Sequence, residues 1–404
     1  LDHRPPSADG QEGKGCVWKE SPRAMGDTSA QVVALLNNGL ASVDPAAKVT
    51  ALQQVQELTV EKEPELLDNF FAEILQFQHD RSAEVRKQVV SFVEVACKKD
   101  AGLLPQAVPT LQLVLQDAVA AVKKRAVLAN TNLYRPVLLA VVNASGQTVV
   151  DPAELWGAMQ QMKADIVDLL GDANDGVRTS VLKFLELQIL TQTVRTAASE
   201  SKRGDTSGLE VVPAVHPVLK TAVLREDARA SFELLVEKLT ADGTSSSNML
   251  ALVTILSSLA RLRPTYMERV VGTLVGLYNS PPKHLKPTQL ASLKRALKTP
   301  MIALLKHSSS AEFHEDLVPV LEDLDVPHTT LSAYDRRGKV AARGRAVESE
   351  AHAADQPGPA VDNVPNSSVV NFVRLRQLPF PLIVELLMQS MKNLPSTFPD
   401  VAAT

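Results

Sequence analysis

Cysteine and aromatic residues are what this chain has least of: two cysteines, Cys16 and Cys97, and 4% aromatics in 404 residues. The two cysteines stand in unrelated contexts. Neither a disulfide framework nor a four-ligand metal site can be built from them, and a reducing compartment is the simplest reading. With apolar residues at 45% and aromatics so few, the core must be made of Leu, Val and Ala, which suits helical layers better than a β-sandwich. No stretch approaches eighteen consecutive apolar residues, which speaks against a membrane-spanning helix. Cations are not in excess either. The net charge is -4, so direct nucleic-acid binding is expected to be absent or weak and steeply salt-dependent.

Catalytic signatures are also missing. The eight histidines never fall at ligand spacing with one another or with a cysteine. No phosphate loop, dinucleotide fingerprint or nucleophile elbow occurs. The stretch Gly171–Gly176 resembles a calcium loop only briefly. Val177 stands where that loop needs glycine and Lys183 where it needs glutamate, so a helix-capping turn accounts for it. The expectation is a non-enzyme with no catalytic residue, metal or other cofactor.

What is present is helical periodicity. Asp80–Lys99 carries Val85, Val89, Phe92, Val93 and Ala96 on one stripe, with Arg86, Lys87, Ser91, Glu94 and Lys98 off it. Asp80 or Ser82 can cap its start. The same signature, Asp followed five residues later by Val, occurs at Asp44/Val49, Asp80/Val85, Asp117/Val122 and Asp172/Val177, at intervals of 36, 37 and 55 residues. A cation follows the last three valines: Arg86, Lys123 and Arg178. These are repeated helix hairpins, with about 18 residues inserted around Arg135–Asp151. A single hairpin buries too little to offset its ordering entropy, so neighbours must cover its second face. The fold class is therefore all-α: an α-solenoid of HEAT/ARM-type helical hairpins, about six to seven repeats. Stacking aligns Asp80, Arg86, Asp117, Lys123, Asp172 and Arg178 into a structural ladder, in which a turn carboxylate accepts from the next repeat's cation and backbone.

Composition divides the chain. Residues 1–26 read as a disordered tail, and the opening Leu1 in place of methionine reads as a fragment. The repeats span 27–326, broken by a polar inserted loop at about 194–217 that is not expected to join the core. Pro300 is expected to kink or end its helix. Residues 327–366 form a disordered basic, Ala/Pro-rich linker, its cluster Arg336–Arg345 a candidate nuclear-import signal. Residues 367–404 read as the start of a further helical region.

Three stretches resemble the amino-terminal HEAT domain of the symplekin family: Lys48–Leu58, Glu65–Phe71 and Ser82–Cys97. Asn174–Thr179 and Lys183–Glu186 continue the likeness. Pro136, which interrupts the end of the third inner helix, and the inserted Asn143–Val150 depart from it. The resemblance implies a non-catalytic nuclear scaffold, with some cytoplasmic presence, of the machinery that cleaves and polyadenylates pre-mRNA. It implies that the concave face, lined by the second helix of each pair, holds an RNA polymerase II C-terminal-domain phosphatase and that cleavage and polyadenylation factor subunits are further partners. On the matching inner helices the partner-binding candidates are Lys183 first, then Thr179, Glu186, Lys87, Ser91 and Lys124. The alternative is a HEAT-repeat adaptor or nuclear transport receptor of another pathway.

Overall fold

A computed structural model describes residues 27–144, 151–201, 208–329 and 331, all within Leu1–Val347, one of two compact units into which the chain divides. The expectations for residues 1–26, and for the linker and terminal region beyond 331, lie outside the described residues. Among the described residues thirteen α-helices follow one another: α1 (Asp27–Ala41), α2 (Pro45–Gln56), α3 (Leu67–Leu75), α4 (Ala83–Lys99), α5 (Leu104–Leu115), α6 (Ala120–Asn143), α7 (Pro152–Asp168), α8 (Asp175–Thr191), α9 (Thr221–Thr240), α10 (Ser246–Leu262), α11 (Met267–Asn279), α12 (Pro287–Leu305) and α13 (His314–Asp323). No strand occurs among the described residues.

Local chemistry sets the helix starts. Asp44 takes the amides of Ala46 and Ala47 on its carboxylate, with Pro45 at the first helical position. Before α4, the Asp80 carboxylate accepts from the Ser82 amide, and Ser82 itself makes no side-chain cap. Behind each start runs an apolar stripe. In α4, Val85, Val89, Phe92, Val93 and Ala96 are all fully buried. So is Cys97, whose thiol burial pushes up to about 12, beyond any reactive range.

The stripes decide the architecture. Helices α2, α4, α6, α8, α10 and α12 pack each on the next as one continuous inner layer, and the odd-numbered helices back onto them as hairpin partners. This is the all-α solenoid of HEAT/ARM-type repeats. Aromatic residues are few but sit at the seams: Phe71 against Phe92 at 5.8 Å, and Tyr134 edge-on to Phe184 at 5.6 Å and Trp156 at 5.9 Å. A buried polar knot ties four helices together farther along. Gln192 donates to the Tyr134 hydroxyl (2.8 Å) and to Asp227 (3.0 Å), which also receives Gln188 (3.1 Å) and pairs with Lys163.

Along the turn edge, ion pairs join successive repeats. Lys48 meets Asp80 (2.5 Å), Arg86 meets Asp117 through Nε and Nη2 (2.5 and 2.9 Å), and Lys123 meets Asp172 (2.6 Å). The direction is opposite to the sequence expectation: each turn carboxylate accepts from the preceding repeat's cation, not the next one's. The reason is geometric. Each carboxylate is also anchored to an amide of its own turn (Ser82, Val119 and Asn174), so it faces back along the stack. Arg86 in addition donates to the Asp80 carbonyl (2.7 Å), and so caps its own turn while holding the next. Burial pushes Asp80 and Asp117 up more than any one contact lowers them, but the cation's hydrogen bond (Lys48 or Arg86), the turn amide (Ser82 or Val119) and the nearby positive charges together outweigh it and leave both below the ordinary aspartate range. The Lys123 hydrogen bond does the same for Asp172.

Two expectations about helix ends need correcting. Pro136 does not interrupt α6, and Pro300 does not end α12; both lie inside continuous helices, as do Pro109 and Pro319. All four stand on half-exposed or exposed helix surface, where the carbonyl that proline leaves unpaired can reach water. Beyond Pro136, burial of Val137, Leu138 and Val141 offsets a local cost of about 3 kcal/mol. Part of the insertion at Arg135–Asp151 is thus a prolonged α6, residues 145–150 lying outside the described set. The loop at 194–217 also differs from expectation, for Leu209 and Val212 within it are buried. Arg263, itself fully buried, donates to the carbonyl of Leu190 (2.6 Å) and to the Thr193 hydroxyl (3.0 Å), which ties the end of α8 to the end of α10. Gly208 passes so close that a Cβ there would lie 2.3 Å from the Thr193 carbonyl oxygen.

Two stability predictions follow from this packing. Val89→Asp buries an unpaired carboxylate in the α4 seam and should cost about 3 kcal/mol or more; an unchanged thermal midpoint would contradict the stripe. The rung aspartates have folded pKa values below their unfolded ones. Their stabilisation is complete above the ordinary carboxylate range near pH 4 and is lost as pH falls through the folded values. Urea midpoints should therefore be flat from pH 7 to about pH 5 and drop below about pH 4. In Asp117→Asn the neutral midpoint falls and the acid drop becomes shallower; an acid limb of unaltered steepness would remove Asp117 from the ladder.

Candidate functional site

The exposed side of the inner layer carries the candidates. Residues six positions after the stripe-starting valines fall in one row across neighbouring helices: Ser91 on α4, half-exposed Leu128 on α6 and Lys183 on α8, with Thr254 continuing it on α10.

At the α4–α6 end this face is closed by its own salt links. Glu94 is nearly buried and accepts from Lys98 (2.5 Å), Arg125 (2.6 Å) and Asn132 (2.9 Å). Burial pushes its carboxyl up, yet the hydrogen bonds from Lys98 and Arg125 prevail and hold it below the usual glutamate value. Arg125 also donates to Ser91 Oγ (3.0 Å), whose own proton goes to the Lys87 carbonyl. Lys87 pairs with Glu84 at 2.7 Å. Lys124 is exposed and extends over Gly176, where an added Cβ would come 3.5 Å from its Cδ.

At α8 the face opens. Lys183 is exposed and makes no ion pair or hydrogen bond among the described residues. It borders a cavity of about 730 Å³ shared with Glu186, Glu200, Thr254, Ser258 and Arg261. The rim is fixed from the loop after α8: Glu200 receives Arg261 Nη1 (2.7 Å), and the Glu200 amide donates to the Arg261 carbonyl (3.0 Å). Two cations, two carboxylates and the three hydroxyls of Ser201, Thr254 and Ser258 make a seat of balanced formal charge, floored by Ala251, Ile255 and Leu262. No nucleophile in it is paired with a base.

The structure thus brings Lys183 and Glu186 together on one cavity. Thr179 is engaged elsewhere: its hydroxyl donates to the Asp175 carbonyl (2.9 Å) and meets the Asn248 amide at 2.7 Å. Lys87 and Ser91 lie two inner helices away and Lys124 one, and the first two already have partners. Glu200, Thr254, Ser258 and Arg261 were missed from sequence. The one available signal was the pair Arg261 and Arg263 closing an otherwise apolar helix. Which of the two is buried and which lines the cavity depends on where the loop after α8 lies.

Comparison with known proteins places this geometry in a lineage. The family model for Symplekin/PTA1 N-terminal matches residues 119–339. The subunit pta1 of the mRNA cleavage and polyadenylation specificity factor complex from Schizosaccharomyces pombe is 20% identical over 240 residues, 57% of this chain and 35% of that protein. The chain thus spans about a third of the length of that curated relative. Among solved structures, the designed armadillo repeat protein YIII(Dq)4CqI overlays at a TM-score of 0.34 and 17% identity, covering 65% of this chain and 98% of that one. The C-terminal fragment of the Chaetomium thermophilum cohesin loader SCC2 does so at 0.31 and 15%, covering 77% and 27%. With more than half of its length matched by the family model, and a helical solenoid to match, the chain belongs to the Symplekin/PTA1 N-terminal family.

Proposed function

We propose that this chain is a non-catalytic nuclear scaffold of the pre-mRNA cleavage and polyadenylation machinery, and that its inner layer seats a protein partner at the α8–α10 cavity. Membership of the Symplekin/PTA1 N-terminal family and the fission-yeast relative's place in the cleavage and polyadenylation specificity factor complex support the first part. The observation that carries the second is Lys183, an exposed lysine with no ion pair or hydrogen bond among the described residues, on the border of the cavity of about 730 Å³ between α8 and α10. The partner proposed is an RNA polymerase II C-terminal-domain phosphatase. A compact domain of that kind can lay a loop across the cavity, where Lys183 meets an acceptor and Arg261, already held by Glu200, stays rigid. Preorganisation of this sort lowers the ordering cost of association. Other cleavage and polyadenylation subunits would bind elsewhere on the array.

Lys183→Glu should weaken phosphatase binding by roughly tenfold or more through charge reversal at the contact, with thermal stability unchanged. Lys87→Glu, two inner helices away, should have a smaller effect. Phosphatase affinity equal to wild type in Lys183→Glu would remove Lys183 from the site. Capture of a small GTPase in place of the phosphatase would move the chain to a transport adaptor.

A further inference from the structure

The turn-edge ladder is regular for three junctions and then lacks its anion. Arg86 has Asp117 and Lys123 has Asp172, but the next cation, Arg178, has no carboxylate from the repeat that follows. Asp80, Asp117 and Asp172 each stand two residues before the N-cap of their inner helix; two before Ser245, the N-cap of α10, stands Gly243, which has no side chain to offer, and beside it Thr244. Its hydroxyl donates to the Lys238 carbonyl at 2.7 Å and so is turned away from Arg178. The only acid of that turn, Asp242, stands in solvent, 3.9 Å from His284.

Where the missing carboxylate belongs, the structure has a cavity of about 310 Å³, lined by Arg178, Lys238, Gly243, Thr244 and Asn248 among others; Asp242 stands at its rim with its side chain 96% exposed and pairs with neither cation. Two cations face it. Lys238 is half-buried, and its ammonium has no ion pair or hydrogen bond with any described residue. Arg178 gives one hydrogen to the Asp172 carbonyl (2.5 Å) and one to Asp175, and its Nε meets the Asn248 amide oxygen at 3.0 Å when that amide is turned to satisfy both neighbours. A guanidinium has five N–H groups, so one hydrogen remains on each terminal nitrogen. A half-buried ammonium without a counter-ion is costly, and a guanidinium fork is shaped for a carboxylate.

We propose that this open rung is a docking site for an acidic side chain of a protein partner, which completes in trans the ion pair that Asp117 and Asp172 complete in cis. The fit is to a carboxylate in particular, because the two Arg86 contacts to Asp117 show how this edge holds one. The site lies on the turn edge, on a different surface from the Lys183 cavity, and does not depend on the function proposed for that cavity.

The test uses the full 404-residue chain at low salt and a fluorescein-labelled alternating Gly-Glu octapeptide, followed by anisotropy. Its phosphoserine counterpart and an oligouridylate dodecamer serve as comparison probes. Lys238→Gln should weaken the Glu peptide about tenfold, as loss of a charge-assisted contact does. Thr244→Asp, which adds a carboxylate of the chain's own beside that position, should weaken it at least as much. Lys183→Glu should leave it unchanged. Stronger capture of the phosphoserine peptide, lost in the same two variants, would support the site and assign its oxyanion to a phosphorylated partner. Three results would overturn the proposal: peptide binding unaltered in both Lys238→Gln and Thr244→Asp, no binding to either peptide, or oligouridylate bound more tightly than both and lost in the same variants. Should Thr244→Asp not fold, Lys238→Gln decides alone.

Discussion

Every feature of this molecule depends on one constraint: a helix hairpin of this size cannot cover both of its apolar faces. Val85, Val89 and Phe92 of α4 are dry because α2 and α6 lie on either side and α3 backs them, with Phe71 against Phe92. The stack is the smallest arrangement that buries such stripes, and the identity of each helix as inner or outer follows from it. The low aromatic content belongs to the same constraint. Leu, Val and Ala tile a repeating seam without the irregular volumes of large rings.

Charge has a narrower task. The ladder ions sit at the edge, half-covered, where a surface pair in full solvent would contribute little. Their value lies in register. Each carboxylate is fixed to its own turn by an amide and to the preceding repeat by a cation, so it cannot follow a sliding neighbour and any slip of one hairpin past the next breaks the ion pair. The Glu94 cluster does the same on the inner face between α4 and α6. Charges spent in this way are not free for a partner, which is why the open face begins only at α8, where Lys183 is unpaired and the following loop is drawn in by Arg263 and Glu200.

The candidate site was legible in part. Lys183 and Glu186 could be placed on a solvent face from the spacing of Val177 and its neighbours, because a helix repeats every 3.6 residues regardless of context. Thr179 shares that face by the same arithmetic, yet its hydroxyl is taken by Asn248, almost seventy positions away. Glu200 and Arg261 could not be foreseen, since they meet only because the loop after α8 folds back onto the end of α10.

The amino-acid sequence by itself determined the helices, their repeat and the family, because stripes, caps and the Asp-to-Val spacing are local patterns that burial merely uses. It did not determine the direction of the ladder. The spacing pairs a turn carboxylate with the next repeat's cation, and only the stacking shows the reverse, Arg86 holding Asp117 of the following turn with its fork and the Asp80 carbonyl with its remaining nitrogen. Nor did it determine the course of α6 and α12 through Pro136 and Pro300. Proline states a local cost, and whether a helix continues past it depends on how much the following turn buries, a quantity set by neighbours far away in the chain.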